Sequence, residues 1–207
     1  MISDAELLDA ALEVFADCGF EGTSVRELAR GLGVSHNLIP QRFGSKERLW
    51  YAAIDHGFGR LARELMNVTE ALSGDDLGRL RSMMVRFVEA NATRPSLLRI
   101  INQDACSPGP RLDYLFDHYI EPVARYGRKL LKELRSRGEV RTDSVALVYF
   151  LMTHGAGGAL AMPALAQRFG DRVDPKSPEA VRRHAEQAVD VLFEGLVARE
   201  GGSGERG

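Results

Sequence analysis

The chain has 207 residues, of which 44% are hydrophobic and 27% are charged, and its formal net charge is −2. This composition is typical of a soluble globular protein with one or two domains. No apolar run approaches the ~20 residues that a membrane-spanning helix needs, and the acidic start differs from a signal peptide. The two cysteines, Cys18 and Cys106, form no metal-binding C-x-x-C pair. We therefore expect a cytoplasmic protein with reduced thiols, no membrane partner, no metal and no cofactor.

Charge is distributed unevenly along the first part of the chain. Residues 1–21 contain six acids and no base, a net charge of −6, whereas residues 22–48 contain five bases and two acids, a net charge of +3. A small basic patch confined to one segment suits a few contacts with DNA phosphates. Because the patch is modest, we expect DNA affinity to depend on dimerisation.

The first predicted element is an amphipathic helix from Ser3 to about Cys18, with acids on its outer side. A helix of this length is marginal alone, so its apolar stripe should pack against the next two helices. The first 44 residues are thus predicted to form a compact three-helix head.

Two short helices with a tight turn between them are predicted after the first helix. Ser24 and Glu27 have the spacing of a capping box. Gly33 suits a sharp turn because it tolerates positive φ, and Ser35 is the expected cap of a second helix from His36 to about Arg42. Two helices joined in this way form a helix-turn-helix, whose second helix enters the DNA major groove. An ordinary corner between two helices of a bundle is the alternative.

The outer side of this motif carries groups that hydrogen-bond to base edges or phosphates. The N-terminus of the following helix also suits a phosphate, because its backbone N–H groups are free. The predicted DNA-binding residues are Thr23, Arg26, Ser35, His36, Asn37, Gln41, Arg42 and Lys46.

The rest of the chain also reads as helical. Gly57 and Gly59 predict close packing or a bend, and Pro122 predicts a kink. The predicted helices run from Ser45 to about Asn67, from Leu77 to Thr93, from Pro95 to about 107, over 111–137, from Ser144 to about Phe169 and from Glu179 to about Arg199, followed by a flexible tail, 200–207.

The run LLDAALEVFADCGFEGTSVRELARGLGVSHNLIPQRFGSKERLW resembles the DNA-binding head of the tetracycline-repressor (TetR-type) family of transcriptional regulators. The match covers residues 5–50, including the ending F-x-S-K-E-x-L. The resemblance implies an all-α protein with a helix-turn-helix DNA-binding domain at 1–44 and a helical effector-binding and dimerisation domain at 45–199. It also implies a homodimer that binds a double-stranded DNA operator and a small-molecule effector, most simply as a repressor.

Two features depart from the family pattern. Pro40 replaces an aromatic residue in the middle of the recognition helix, where a missing N–H and a bulky ring predict a tightened or kinked helix. Asp4 and Glu6 occupy positions that are often basic in relatives. Both changes reduce phosphate contacts. The rival hypothesis is a cytosolic helical sensor or scaffold whose head no longer binds DNA.

Enzymatic sites are not predicted. The GAGGA run at 155–159 lacks a preceding strand and a P-loop lysine, so it is not a nucleotide loop. Cys106, Asp104 and His118 have no spacing that fixes a nucleophile and a base.

The body is predicted to hold a mostly apolar pocket for an effector whose identity the residues leave open. Ordinary core packing stays open for each residue of the pocket and of the dimer interface. The pocket candidates are Phe87, Asn91, Asn102, Asp104, Tyr114, His118, Tyr119, Tyr149 and Met152. The dimer-interface candidates, on the last two helices, are Gly155, Gly158, Ala159, Ala188 and Leu192.

Overall fold

The computed structural model describes residues 2–71, 75–170, 173, 174 and 176–198, without the side chains of 67–71. Within these residues the secondary structure is helical, apart from one antiparallel bridge between Val140 and Val197. The all-α prediction is confirmed. The predicted flexible tail lies outside the described residues.

Twelve α-helices are described, and two further segments, Phe116–Ile120 and Leu151–Ala156, are π-helical. The α-helices are α1 (Asp4–Gly22), α2 (Val25–Gly31), α3 (Leu38–Phe43), α4 (Lys46–Ala71), α5 (Asp76–Ala92), α6 (Pro95–Asp104), α7 (Pro110–Leu115), α8 (Glu121–Ser136), α9 (Val145–Phe150), α10 (Gly158–Ala161), α11 (Pro163–Arg168) and α12 (Pro178–Leu196).

The chain divides into two compact units. The first unit combines Met1–Met66 with Thr93–Pro122, and the second combines Asn67–Ala92 with Val123–Gly207. The first unit therefore contains α6 and α7 as well as the three-helix head. The predicted boundary at residue 44, between a DNA-binding domain and an effector-binding and dimerisation domain, stays a prediction.

Helix α1 packs on α6 in the first unit. A capping box between Ser3 and Glu6 starts α1, and Gly19, with a φ of +70°, interrupts its helical geometry near the predicted end. The Gln103 side chain on α6 donates a hydrogen bond to the Ala16 carbonyl at 2.7 Å. Since the last carbonyls of a helix have no partner within it, this bond ties the end of α1 to α6.

The core of the first unit is closed by a tight helix contact at Gly57 on α4. A Cβ placed there would lie 2.7 Å from Leu12 Cδ1 and 2.8 Å from Leu97 Cδ2. Both leucines are buried, at 5% and 1% exposure. The close packing predicted at Gly57 is confirmed, and it joins α1, α4 and α6.

The second unit is built around the packing of α5 against α12. Its apolar core also includes residues of α8, of the π-helical segment Leu151–Ala156 and of α10. The buried residues include Leu80, Met84, Val88, Leu131, Leu134, Met152, Leu160, Ala185 and Val189.

The single helix predicted from Ser144 to about Phe169 is wrong: it breaks into α9, a π-helical segment, α10 and α11. The Gly157 N–H donates to the Met152 carbonyl at 2.8 Å, a bond one residue longer than in an α-helix. A Cβ at Gly157 would lie 2.4 Å from the Thr153 carbonyl oxygen. Met162, ahead of Pro163, has left the helical region, with φ −123° and ψ 61°, and a following proline disfavours the helical conformation at this position.

The single helix predicted over 111–137, with a kink at Pro122, is divided into α7 and α8 by a π-helical turn just before that proline. The Glu121 N–H donates to the Phe116 carbonyl, five residues back. Because proline lacks the N–H for an ordinary helical bond, the wider turn accommodates it without ending the helical path.

The two glycines of α4 provide a matched test of this packing. We expect Gly59→Ala to raise the free energy of unfolding by about 0.5–1 kcal/mol, since alanine favours helix. Gly57→Ala should lower it by about 1 kcal/mol, because the methyl group overpacks a closed core. Chemical denaturation of both variants measures the difference, and equal effects would contradict the tight contact.

Candidate nucleic-acid interface

Helices α2 and α3 are joined by a six-residue turn over residues 32–37. The Ser24 hydroxyl oxygen accepts the Glu27 backbone N–H at 3.3 Å and caps α2. Gly33 has a φ of +65°, which glycine adopts without strain. The Val34 N–H then donates to the Ala29 carbonyl at 3.0 Å and closes the turn. The predicted pair of helices with a glycine turn is present.

Helix α3 begins two residues later than predicted, at Leu38 instead of His36. Pro40 is therefore its third residue, in the first turn, where backbone N–H groups have no partner within the helix. Its missing N–H removes no hydrogen bond, and the Gln41 N–H still donates to the Asn37 carbonyl at 3.0 Å. The predicted position of Pro40 in the middle of the helix is wrong, and His36 lies in the turn.

The outer side of the motif carries polar groups, whereas its inner side is closed. Ile39 on α3 is 1% exposed. The exposed hydroxyl, imidazole and amide groups match the donors and acceptors of base edges, and Arg26 on α2 is exposed as well. The exposed polar residues around α3 are Ser35, His36, Asn37 and Gln41.

Lys46 begins α4, next to the loop after α3. Its Nζ donates to the Glu21 carbonyl at 3.2 Å and lies 4.6 Å from the centre of the Phe20 ring. The Arg111 guanidinium also packs on this ring, at 4.4 Å. Two cations thus share one aromatic residue, an attraction between charge and ring electrons. Phe20 is a positioning residue that the sequence reading did not identify.

Thr23, predicted to contact DNA, has a structural role within the first unit. Its side chain is buried, at 4% exposure, and its hydroxyl donates to the Gly19 carbonyl at 2.7 Å. Its backbone N–H donates to the Phe20 carbonyl at 3.3 Å. Both donors are engaged within the protein, so Thr23 holds the junction between α1 and α2.

Arg42, in the last turn of α3, is bound to the start of the chain. Its Nη1 donates to Asp4 Oδ1 at 2.8 Å, and both Nη atoms donate to the Ile2 carbonyl at 3.3 Å. The Arg42 side chain is 24% exposed and that of Asp4 is 69% exposed. The predicted DNA-contacting arginine therefore carries an internal ion pair.

Other acids of α1 also have side-chain partners on neighbouring helices. Asp9 lies 2.8 Å from His56 on α4. Glu13 and Asp17 lie 3.1 Å and 3.2 Å from Arg99 on α6. The acidic stretch found in the sequence thus forms contacts within the first unit.

Three of the predicted pocket residues form a polar-aromatic cluster in the first unit. The hydroxyls of Tyr114 and Tyr119 both donate to Asp55 Oδ1 at 2.6 Å, and His118 stacks on the Tyr114 ring. Burial first, and Asp55 second, raise the pKa of Tyr114 to about 12 and also raise the pKa of Tyr119. The cluster joins α4 to α7 and the π-helical turn.

The remaining first-unit candidates have separate partners. Asp104 pairs with Arg111 at 2.8 Å, and the Cys106 thiol donates to the Asn102 carbonyl at 2.9 Å. The hydrogen bond that the structure shows for Cys106 is thus to a backbone carbonyl one helical turn back.

The other four pocket candidates lie in the second unit. Phe87 and Tyr149 meet edge to face, with ring centres 6.3 Å apart. The Asn91 amide, on a 2% exposed side chain, donates to the Phe87 carbonyl at 2.6 Å. Met152 belongs to the core, at 4% exposure. The Tyr149 hydroxyl is buried without a hydrogen-bond partner among the described residues, and burial raises the pKa of Tyr149 to about 12.

The predicted dimer residues are only partly at the surface. Gly158 is buried, Ala159, Ala188 and Leu192 are half-buried, and Gly155 is exposed. Large exposed apolar side chains also occur in this part of the second unit, where residues of α9 and α12 frame a groove of about 230 Å³. The exposed apolar residues of α9, the following π-helical segment and α12 are Leu147, Phe150, Leu151 and Val191.

Other site types find no support in the part of the chain that the structure describes. No group of three or more metal-ligating side chains occurs among the described residues. In the same residues, no helix has the length and apolar content to cross a membrane.

Comparison with known proteins places this architecture in a family. Residues 7–53 match bacterial regulatory proteins of the tetR family. The HTH-type transcriptional repressor AcnR of Corynebacterium glutamicum is 38% identical over 141 residues, which cover 68% of this chain and 70% of that protein. The chain belongs to the tetR family of bacterial regulatory proteins. The predicted TetR-type resemblance is confirmed, and the family consists of regulators, not of enzymes.

Two further comparisons define how far the TetR likeness extends. An HTH-type transcriptional repressor of Mycobacterium tuberculosis is 39% identical over 61 residues, 30% of this chain and 32% of that protein. The chain thus matches about a third of the length of this relative. The ketosteroid transcriptional regulator KstR2 of Mycobacterium tuberculosis has a TM-score of 0.74 at 21% identity, over 96% of this chain and 97% of the other. That likeness shows a shared fold.

Tyr149 gives a pH-dependent test of its buried hydroxyl. Its pKa is about 12 in the folded chain against 10.0 ordinarily. Unfolding therefore exposes a more acidic tyrosine, so the ionisation of Tyr149 leaves the free energy of unfolding unchanged below pH 10 and lowers it as the pH rises towards 12. Tyr149→Phe should reduce this alkaline loss, measured by denaturation at several pH values. At neutral pH the variant should be as stable as the wild type or up to ~1 kcal/mol more stable, since the hydroxyl has no hydrogen-bond partner among the described residues. An unchanged alkaline loss would contradict the buried site.

Proposed function

We propose that this TetR-family protein is a homodimeric repressor that binds a palindromic DNA operator and releases it when a small-molecule effector binds. The observation that carries the proposal is the helix-turn-helix with an exposed polar face and a closed apolar one. Regulators of the family bind DNA operators, typically as homodimers with small-molecule effectors. The relative in Corynebacterium glutamicum carries the name of a repressor.

The DNA contacts divide into two roles. Arg26 and Lys46 are proposed to bind phosphates: Arg26 is exposed on α2, and Lys46 lies at the N-terminus of α4. His36, Asn37 and Gln41 are proposed to face bases or the adjoining backbone. Phosphate contacts fix the position of the protein, whereas base contacts select the sequence.

Dimerisation is proposed to cover the exposed apolar groove of the second unit. Val191 on α12 is 73% exposed, and Leu147 and Leu151 are 49% and 43% exposed. A two-fold axis places the same patch on both copies, so one self-complementary apolar face serves both. It also sets two recognition helices about 34–36 Å apart, one turn of DNA.

The effector is proposed to bind near Tyr149 in the second unit. A buried hydroxyl without a partner is costly unless a ligand or water satisfies it. Phe87 supplies an aromatic wall beside it, and the Asn91 amide lies one helical turn from Phe87. Pockets that combine apolar walls with a few polar groups are typical of small-molecule sites. An effector can release DNA only through different affinities for the bound and free arrangements.

The deciding experiment is selection of DNA by the purified protein from random and genomic fragments, followed by affinity measurements over a salt series. A palindromic site and a salt slope of several phosphate contacts are expected. Weak binding that ignores sequence would contradict the proposal and favour the alternative, a helical sensor whose head no longer binds DNA.

Substitutions in the head should separate the two roles. Gln41→Ala should weaken operator binding by ~1–3 kcal/mol and leave binding to a scrambled duplex unchanged, because it removes a base contact. Arg26→Ala should weaken binding to both the operator and the scrambled duplex, and should lower the slope of log affinity against log salt by about one unit. Fluorescence anisotropy measures both effects. Arg182→Ala, an exposed second-unit change, is the control. Equal loss on both duplexes for Gln41→Ala would contradict its role.

A charge in the apolar groove should separate the dimer. The wild type is expected at twice the 22.8 kDa chain mass, and Val191→Arg at the monomer mass, in sedimentation velocity. A desolvated unpaired charge is costly at an interface. Phe116→Arg, at an apolar residue of the first unit with 42% exposure, is the matched control and should remain dimeric. A Val191→Arg dimer would place the interface elsewhere.

A further inference from the structure

The ion pair between Arg42 and Asp4 joins the recognition helix to the first turn of α1. Arg42 Nη1 lies 2.8 Å from Asp4 Oδ1, and the Ile2 carbonyl accepts from both Nη atoms at 3.3 Å. The guanidinium thus has two acceptors on one segment. A cation with a bonded carboxylate partner must give it up before it binds another anion.

The acceptors are held in place by the start of α1. The Ser3 N–H and hydroxyl donate to Glu6 Oε2 at 2.9 Å and 2.8 Å, and the Glu6 N–H donates to the Ser3 hydroxyl oxygen at 3.2 Å. The two bonds that Ser3 donates favour the ionised carboxylate and so lower the pKa of Glu6. Ile2 and Asp4 flank Ser3, and the box therefore fixes the backbone that presents both acceptors to Arg42.

We propose that Asp4 is a positioning residue that withholds Arg42 from DNA, so that a DNA phosphate binds Arg42 only by displacing Asp4. The inference rests on the proposed DNA-binding function and specifies one residue that sets its strength. The Asp4 carboxylate takes the place that a DNA phosphate would take. Wild-type affinity is therefore lower than the count of basic residues around α3 implies.

The withheld charge has a measurable signature in the salt dependence. Each protein cation that neutralises a phosphate contributes about 0.9 to the slope of log affinity against log salt, because it releases a counterion from DNA. An arginine already neutralised by Asp4 releases the same counterion only after its own pair breaks. Removing Asp4 should restore the contribution of Arg42 to this slope.

The test is a double-mutant cycle with Asp4→Ala, Arg42→Met and the double variant. Arg42→Met keeps an unbranched apolar stem and removes the charge. Anisotropy is measured on a duplex selected from random DNA and on its scrambled counterpart, between about 50 and 200 mM salt. Asp4→Ala should bind the selected duplex about two- to fivefold more tightly at the lowest salt, with a slope steeper by about 0.9.

The cycle distinguishes a specific pair from a general charge effect. In the Arg42→Met background, Asp4→Ala should change affinity no more than the control Asp9→Ala does. Asp9 is a comparable acid of α1, 62% exposed and 2.8 Å from His56. The same gain from Asp4→Ala with and without Arg42 would overturn the proposal, and so would weaker binding by Asp4→Ala. Thermal unfolding of each variant without DNA checks that the fold is kept.

The outcomes also separate this inference from the proposed function. If the wild type and Asp4→Ala bind neither duplex, the DNA-binding function fails and the inference fails with it. If the wild type binds its selected duplex and the two substitutions act independently, the function stands and only the Asp4 role is overturned.

Discussion

The packing of α1 against α4 and α6 is the contact on which the first unit depends. Gly57 allows the approach, because any side chain there would meet Leu12 and Leu97. Gln103 then ties the end of α1 to α6. Helix α1 supports α2 and α3. The position of the surface around α3 therefore depends on the contact of α1 with α4 and α6, which lie later in the chain. The proposed DNA-binding surface thus rests on an apolar core that includes a segment outside the helix-turn-helix.

Charge is arranged around this core in two ways. The acids of α1 lie beside Arg42 on α3, His56 on α4 and Arg99 on α6, so several of them have partners within the first unit. Exposed pairs of this kind contribute little to stability one by one, on the order of 0–1 kcal/mol. In the proposed DNA-binding function, their larger effect is on which cations remain available to DNA phosphates. Phe20 orders Lys46 through its ring, whereas Asp4 occupies Arg42.

In the second unit, the regular helical structure is interrupted between α9 and α11. The π-helical segment after α9 and the break at Pro163 replace one long helix with short ones. Tyr149 precedes the π-helical segment, and π-turns are often found at functional sites. The same region leaves apolar side chains such as Val191 exposed beside it on α12. A surface of this kind indicates a partner.

The sequence by itself determined the all-α class, the helix-turn-helix and the family, because these depend on short-range periodicity, caps and glycine turns. The late start of α3 was within reach too, since Pro40 is tolerated only in a first turn. Only the tertiary structure decided that Thr23 is buried, that Arg42 is paired with Asp4 and that the pocket candidates fall into two units. These facts depend on contacts between residues far apart in the chain, such as the 38 positions that separate Asp4 from Arg42. A local pattern specifies a helix and its buried face, but packing selects the partner of each side chain.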